Sequence, residues 1–527
     1  MLKNIPWYAV SCSAPMSRRS FVVATSSLAA AAVWSSRGLG AVKKTVKLSD
    51  YPFSLGVASG DPAPDSVVLW TRLAPKPLEG GGMPAEPVEV SWQVADDEGL
   101  TKVVQRGTTV ASPDWSHCVH VEVSGLQPNR WYWYQFAAAG ETSPKGRTRT
   151  MPLRESMPAT VRFAFASCQH FETGLFTAYD HMAQEDVDLV IHLGDYIYES
   201  AGKPNQVRQH IGAELMSLED YRTRHAQYKT ERALQAMHAA VPWLVTWDDH
   251  EFDNNCAGEI SEENGVTRED FLARRARAYQ AYYEHMPLRQ SSLPQGPDMP
   301  LYRRIGFGRL AEFFVLDTRQ YRSDQPCGDG NRPPCDGVYD PNATVLGERQ
   351  EKWLVDGLTG SPAKWNVLAQ QIMMARVDRV PGEMVAYSMD QWPGYETSRR
   401  RLLRFFHDQR VSNPVVLAGD IHSNWANNLI ADFDDLESKT VASEFVGTSI
   451  SSGGNGTRYP SGLPQILAEN PFVKFHSAER GYVLCEISAQ RWQTDYRMVE
   501  YVSRPSSPIA TRARFVVEDG KAGIEKA

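Results

Sequence analysis

Residues 246–255, TWDDHEFDNN, set five side chains able to bind a hard cation (Asp248, Asp249, Asp253, Asn254 and Asn255) beside His250 and Glu251, directly after the apolar run AAVPWLV. Carboxylates crowded in this way repel one another and lose hydration, so the cluster calls for a cation or a mobile loop. Three further apolar runs end in residues of the same kind. VRFAFA leads into Ser167, Cys168, Gln169 and His170; DLVIHL leads into Gly194, Asp195, Tyr196, Ile197, Tyr198 and Glu199; PVVLA leads into Gly419, Asp420, Ile421 and His422. A single Gly-Asp pair after a strand is an ordinary turn. Four such endings, in a fold whose strand tips converge on one crevice, point to a metal site. Ligand hardness divides the set. Oxygens of Asp249, Asp420 and Asn255, or its neighbour Asn254, suit calcium, whereas the Cys168 thiolate, the Tyr198 phenolate and the His422 imidazole suit a transition metal, ferric iron above all. Asp195 has two oxygens and is able to bridge both ions.

The elements that must position these residues fall into two textures. From Lys44 to about Arg154, short alternating runs such as SVVLWTRL, VEVSWQV and WYWYQFAA are split by Gly and Pro, and predict a small antiparallel sandwich over 44–154. Within it, Leu126, Pro128 and Tyr132 resemble the corner motif of fibronectin type III domains. From residue 158 to about 515, apolar strands alternate with helical segments, one opening on a Ser217-x-x-Asp220 capping box, which is an α/β layer pattern. The last residues, 516–527, form a polar tail expected to be helical or frayed. At the other end, Arg18 and Arg19 precede an alanine-rich apolar stretch and small residues near Ala41. The segment 17–21, SRRSF, resembles the twin-arginine export motif, so residues 1–41 are expected to be a signal peptide and the mature protein periplasmic or extracellular. The stretch is too short for a membrane span, and no later apolar run is long enough for one.

Composition narrows the partners. With 63 acidic against 55 basic residues, the net charge of −8 lacks the basic excess of a nucleic-acid surface and argues against a stable nucleic-acid partner. Cys327 and Cys335 share a turn-rich loop, QPCGDGNRPPCDG, which in an exported chain points to a local disulfide. Trp392 and Tyr395 in DQWPGYE are candidates for an aromatic pocket wall. Arg274, Arg275 and Arg277 sit at helical spacing and read as a solvated face, one of them in a position to reach a substrate phosphate.

The order Gly-Asp-x-x-Tyr, x-Asp-His-Glu, Gly-Asp-x-His resembles the calcineurin-like metallophosphoesterases, with Asp249, Asp420 and Cys168 departing from the usual residues. Together with LDTRQYRSDQPCGDG, MDQWPGYETSRRRLL, VVLAGDIHSNWANNL and EFVGTSISSGG, the chain resembles the PhoD-type alkaline phosphatase and phosphodiesterase family. That resemblance implies an α/β fold, a layered αββα sandwich of metallophosphoesterase type preceded by a fibronectin III or Ig-like β-sandwich. It further implies Fe3+ and Ca2+ cofactors and phosphate mono- and diester substrates cleaved by metal-activated hydroxide. Iron would be held by Cys168, Asp195, Tyr198 and His422, and calcium by Asp195, Asp249, Asp420 and Asn255 or Asn254. His250, matching the motif histidine that faces the phosphate, would stabilise charge or protonate the leaving group, with Asp195 as the catalytic bridge. The tail would lie across the mouth of the site. Two other readings stay open: a phospholipase D-like diesterase acting on lipid head groups, and a secreted calcium-binding adhesion module, which has no use for Cys168, Tyr198 and His422.

Overall fold

The computed structural model describes residues 47–527, so the twin-arginine segment lies outside the described residues. Two large sheets face each other. The first has ten strands, and at its centre Thr160–Ala166, Leu189–Leu193 and Trp243–Thr246 run parallel. The second has eight, with Ala311–Val315, Trp365–Ala369, Pro414–Ala418 and Thr440–Val446 parallel at its centre.

The strand period of two explains why these segments read as unbroken apolar runs. In Thr160–Ala166, Val161, Phe163 and Phe165 point between the sheets, where they meet Phe313, Val367, Leu417 and Phe445. Ala164 and Ala166, on the other face, pack under the helices Thr177–Met182, Leu218–Lys229, Arg232–Ala240 and Arg268–His285. The outer face of the second sheet is covered by Gly347–Thr359 and Glu396–Asp408. The layering is therefore helix, sheet, sheet, helix. The Ser217 and Asp220 capping box forms as the sequence predicts.

The segment expected to be a separate sandwich contributes to both modules. Val88–Ala95, Val103–Ala111, Trp131–Ala138, Glu141–Thr142 and Gly146–Arg149 make a five-stranded sheet of their own, in which the Tyr132 hydroxyl accepts a 2.8 Å hydrogen bond from the Gln127 backbone. Val57–Gly60, Ser66–Arg72 and Cys118–Ser124 instead extend the ten-stranded sheet, joined where Gly60 pairs with Trp243. The tail is neither helical nor frayed. Ile509–Glu518 and Lys521–Lys526 form a hairpin on the far edge of the same sheet, because alternating Ala513, Phe515, Val517 and Ile524 bury one face in the inter-sheet core. It lies beside Asn428 and Thr440, so it does not cap the strand tips. Cys327 and Cys335 are bonded as a disulfide.

Two further expectations are corrected. Arg274 and Arg275 are buried, the first by Asp253 at 2.8 Å and Glu214 at 2.8 Å, the second by the carbonyls of Gly258 and Pro297. A long amphipathic side chain follows its partners inward, and these guanidiniums are not available to a substrate. Trp392 and Tyr395 are fully packed in the core beneath the second sheet, with the Trp392 indole bonded to Gln370 and the Tyr395 hydroxyl to the Ser323 carbonyl, so they form no pocket wall.

Candidate metal centre

All four strand endings meet at one edge of the paired sheets. Ligand atoms of Cys168, Asp195 and His422 lie within 4.8 Å of one another, as do those of Asp195, Asp249 and His250, and those of Asp248, Asp249 and Asp420. Asp195 and Asp249 thus link three overlapping groups into one polar chamber. The Tyr198 hydroxyl joins the first group, 2.8 Å from Asp195 Oδ2 and 3.2 Å from His422 Nε2. Both Gly-Asp motifs have a steric reason. A Cβ on Gly194 would sit 2.5 Å from Asp248, and one on Gly419 would collide with the Ser167 hydroxyl, so each glycine lets two loops close on each other. Cys168, Asp195, Asn255, Asp420 and His422 all adopt positive φ, between 45° and 63°. Five left-handed non-glycine residues in one place is strain of the kind that folds tolerate where side chains must be aimed at a ligand.

The donor set fits cations. Asp195 Oδ1, Asp249 Oδ1 and Asp248 Oδ2 are buried with no hydrogen-bond partner, an arrangement that costs heavily unless a positive charge meets them. Burial, reinforced by Asp195 and Asp420, pushes the Cys168 thiol well above its ordinary range. Burial also raises Asp195 well above the carboxylate range and brings Asp420 to about 7, while it lowers His422 to about 3. The imidazole is therefore neutral and free to ligate, and the thiol and carboxyls need a cation to give up their protons. His250 behaves oppositely. Burial alone would lower it, but Glu199 at 2.8 Å, with Asp249 and Asp195, holds it well above its usual value and therefore charged. Asn255 reaches the chamber through its backbone N–H, 2.7 Å from Asp249 Oδ2, and its side-chain amide donates to Asp329. Asn254 turns its amide to Glu262.

Comparison with known proteins decides the family. The profile of the PhoD-like phosphatase family matches residues 163–496, and that of its N-terminal domain matches 40–152. The chain belongs to the PhoD-like phosphatases. It is 52% identical over 490 residues to alkaline phosphatase D of Bacillus subtilis (strain 168), spanning 92% of this chain and 84% of the relative. A solved structure described as that of PhoD superposes with a TM-score of 0.89 at 52% identity, covering 92% of this chain and 93% of the other.

Around its predicted ligands this PhoD-like site carries residues that strand-end reasoning passed over. The Glu251 carboxylate accepts backbone N–H bonds from Asp195, Tyr196 and Asp248, tying two loops together. Arg319 is fully buried between Asp248 and Asp390 and lies 3.5 Å from Asp249, placing a fixed positive charge beneath the acidic chamber. Gln391 donates to Asp420, and Ser452 Oγ lies 2.7 Å from both the Tyr198 hydroxyl and the Cys168 carbonyl. A signal for Arg319 was present: LDTRQYR directly follows the apolar strand Ala311–Val315, the same ending that singled out the other four tips.

Proposed function

We propose that this chain is an exported alkaline phosphatase and phosphodiesterase that hydrolyses phosphate mono- and diesters with the help of ferric iron and calcium. The observation that carries the reading is the meeting of sulfur, phenol, imidazole and several carboxylates, with three buried carboxylate oxygens unpartnered, in a chain half identical to alkaline phosphatase D. Cys168, Asp195, Tyr198 and His422 would hold the iron, and Asp195, Asp249, Asp420 and Asn255 the calcium. When bound, the ions supply Lewis acidity to the phosphate.

The chain's own residues do the rest. Glu199 accepts a hydrogen bond from the Nδ1–H of His250 and so fixes the ring, leaving the charged imidazolium to offer its Nε2 proton to the leaving-group oxygen. Arg319 holds Asp248 and Asp390 in place and offsets part of the repulsion among the carboxylates. Ser452 orients the Tyr198 hydroxyl. Export through the twin-arginine machinery, to the periplasm or beyond, rests on the 17–21 motif. Among the described residues no helix is long and apolar enough to cross a membrane. We also propose that residues 44–154 form an N-terminal module whose five-stranded sheet is of fibronectin III or Ig-like type while three of its strands join the ten-stranded sheet, and that 158–515 is the phosphatase module, completed at its edge by the 509–526 hairpin.

The test is elemental analysis of protein purified without chelator, together with assays on a chromogenic monoester, a bis-ester and phosphatidylcholine. Iron and calcium should both be found, with a visible charge-transfer band from Tyr198, and the two chromogenic esters should be cleaved. Calcium without a redox metal, in a protein inert toward all three, would refute the reading.

A further inference from the structure

The arginines around the metal centre are nearly all committed. Arg319 is shared between Asp248 and Asp390, and Arg322 is held by Asp390. Arg224 binds the carbonyls of Tyr198 and Ser200, and Arg480 those of His422 and Gly454. Each of these guanidiniums is fixed in place by protein acceptors.

Arg379 differs. Its guanidinium carbon lies 5.1 Å from the ring centroid of Trp425, three residues beyond His422, and no hydrogen-bond acceptor or carboxylate within ion-pair distance meets it among the described residues. Burial lowers Arg379 to about 10, so it stays charged, and the carboxylate whose field acts on it is Asp420 of the acidic chamber. The residue sits on a rigid stem. Its backbone N–H donates 2.9 Å to the Ala386 carbonyl, the Asp378 carboxylate accepts from Val380 and Ala386, and Asn470 brackets the Asp378 backbone on both sides. A half-buried guanidinium that lies over an indole with no protein anion beside it is available to one, and its planar fork matches two phosphate oxygens.

We propose that Arg379 grips the nonbridging oxygens of the substrate's phosphate group beside the metal centre, making it a substrate-positioning residue. The inference rests on the phosphoesterase reading above. It requires that the ester's charge lie within reach of Arg379.

The experiment compares wild type, Arg379→Met and Arg379→Lys, all as metal-loaded full-length protein. Metal content is measured by elemental analysis, affinity for inorganic phosphate by calorimetry, and KM and kcat on a chromogenic diester. The Met variant should keep its metals while its phosphate affinity falls and its KM rises by about 10- to 100-fold. The Lys variant, which keeps the charge and loses the fork, should fall between the two. A Met variant that binds phosphate within about twofold of wild type, or one that loses its metals, overturns the assignment. Wild-type protein that neither binds phosphate nor cleaves the ester instead overturns the phosphoesterase reading, so the two failures are told apart.

Discussion

At Cys168, burial and two neighbouring carboxylates hold the proton on sulfur, so the proposed role as an iron ligand requires a cation to displace that proton. Replacing it with alanine is expected to remove iron and to lower hydrolysis by more than about 100-fold, since even residues that merely orient metal ligands cost 10- to 100-fold. Elemental analysis alongside the ester assay checks this. His250 makes a separable prediction. It touches Glu199 at 2.8 Å and donates no backbone bond that holds the strand tips, so His250→Asn should keep the metals and lose about 10²- to 10⁴-fold in kcat. Among residues, the metal-capable types that meet in the chamber were legible because sulfur, phenol and imidazole stand out in sequence whatever the fold. For Arg319 the strand ending marked the place but not the role, because an arginine in a loop has no preference that separates a buried counter-charge from a solvated one.

The helix Leu218–Lys229 shows what an element adds to its residues. Its last residue, Lys229, is carried into the core, 4.4 Å over the ring of Trp70, and burial lowers it to about 7. The unfolded chain keeps this proton to about pH 10, whereas the folded protein releases it above about 7. Between those limits the unfolded state binds more protons, so stability rises with pH through this window and carries the full cost of the buried charge below it. Lys229→Met should therefore raise stability at pH 7 by about 1–4 kcal/mol and flatten the rise, as read by chemical denaturation at pH 7 and 9.5. The helix itself was readable from its capping box. Its buried lysine was not, since period and capping say which face turns inward but not how deep the neighbouring elements will sit.

For the whole molecule, the decisive contacts join distant segments of chain. Gly60 pairs with Trp243, and the C-terminal hairpin closes the opposite edge of the same ten-stranded sheet. Deleting residues 519–527 should leave KM for a small diester unchanged within about twofold while lowering Tm by several degrees, because it strips the partner from Ile509–Glu518 and exposes the core beneath Phe515 and Ile524. Thermal melting and steady-state kinetics on the truncated protein check both halves. A drop in KM would instead indicate a tail that screens the site.

Local chemistry in the chain was enough to fix the alternation that makes strands, the capping that starts a helix, the four strand ends carrying metal-capable residues and the disulfide loop, because each depends on neighbours a few positions away. What only the folded molecule decided was long-range. The N-terminal strands join the central sheet, the tail pairs as an edge hairpin, Trp392 and Tyr395 sink into the core, and Arg319 and Arg379 meet opposite fates, one locked among carboxylates and the other left free. Strand pairing and charge partnership are set by which segments, far apart in the chain, come to lie side by side, and no spacing of residues encodes that on its own.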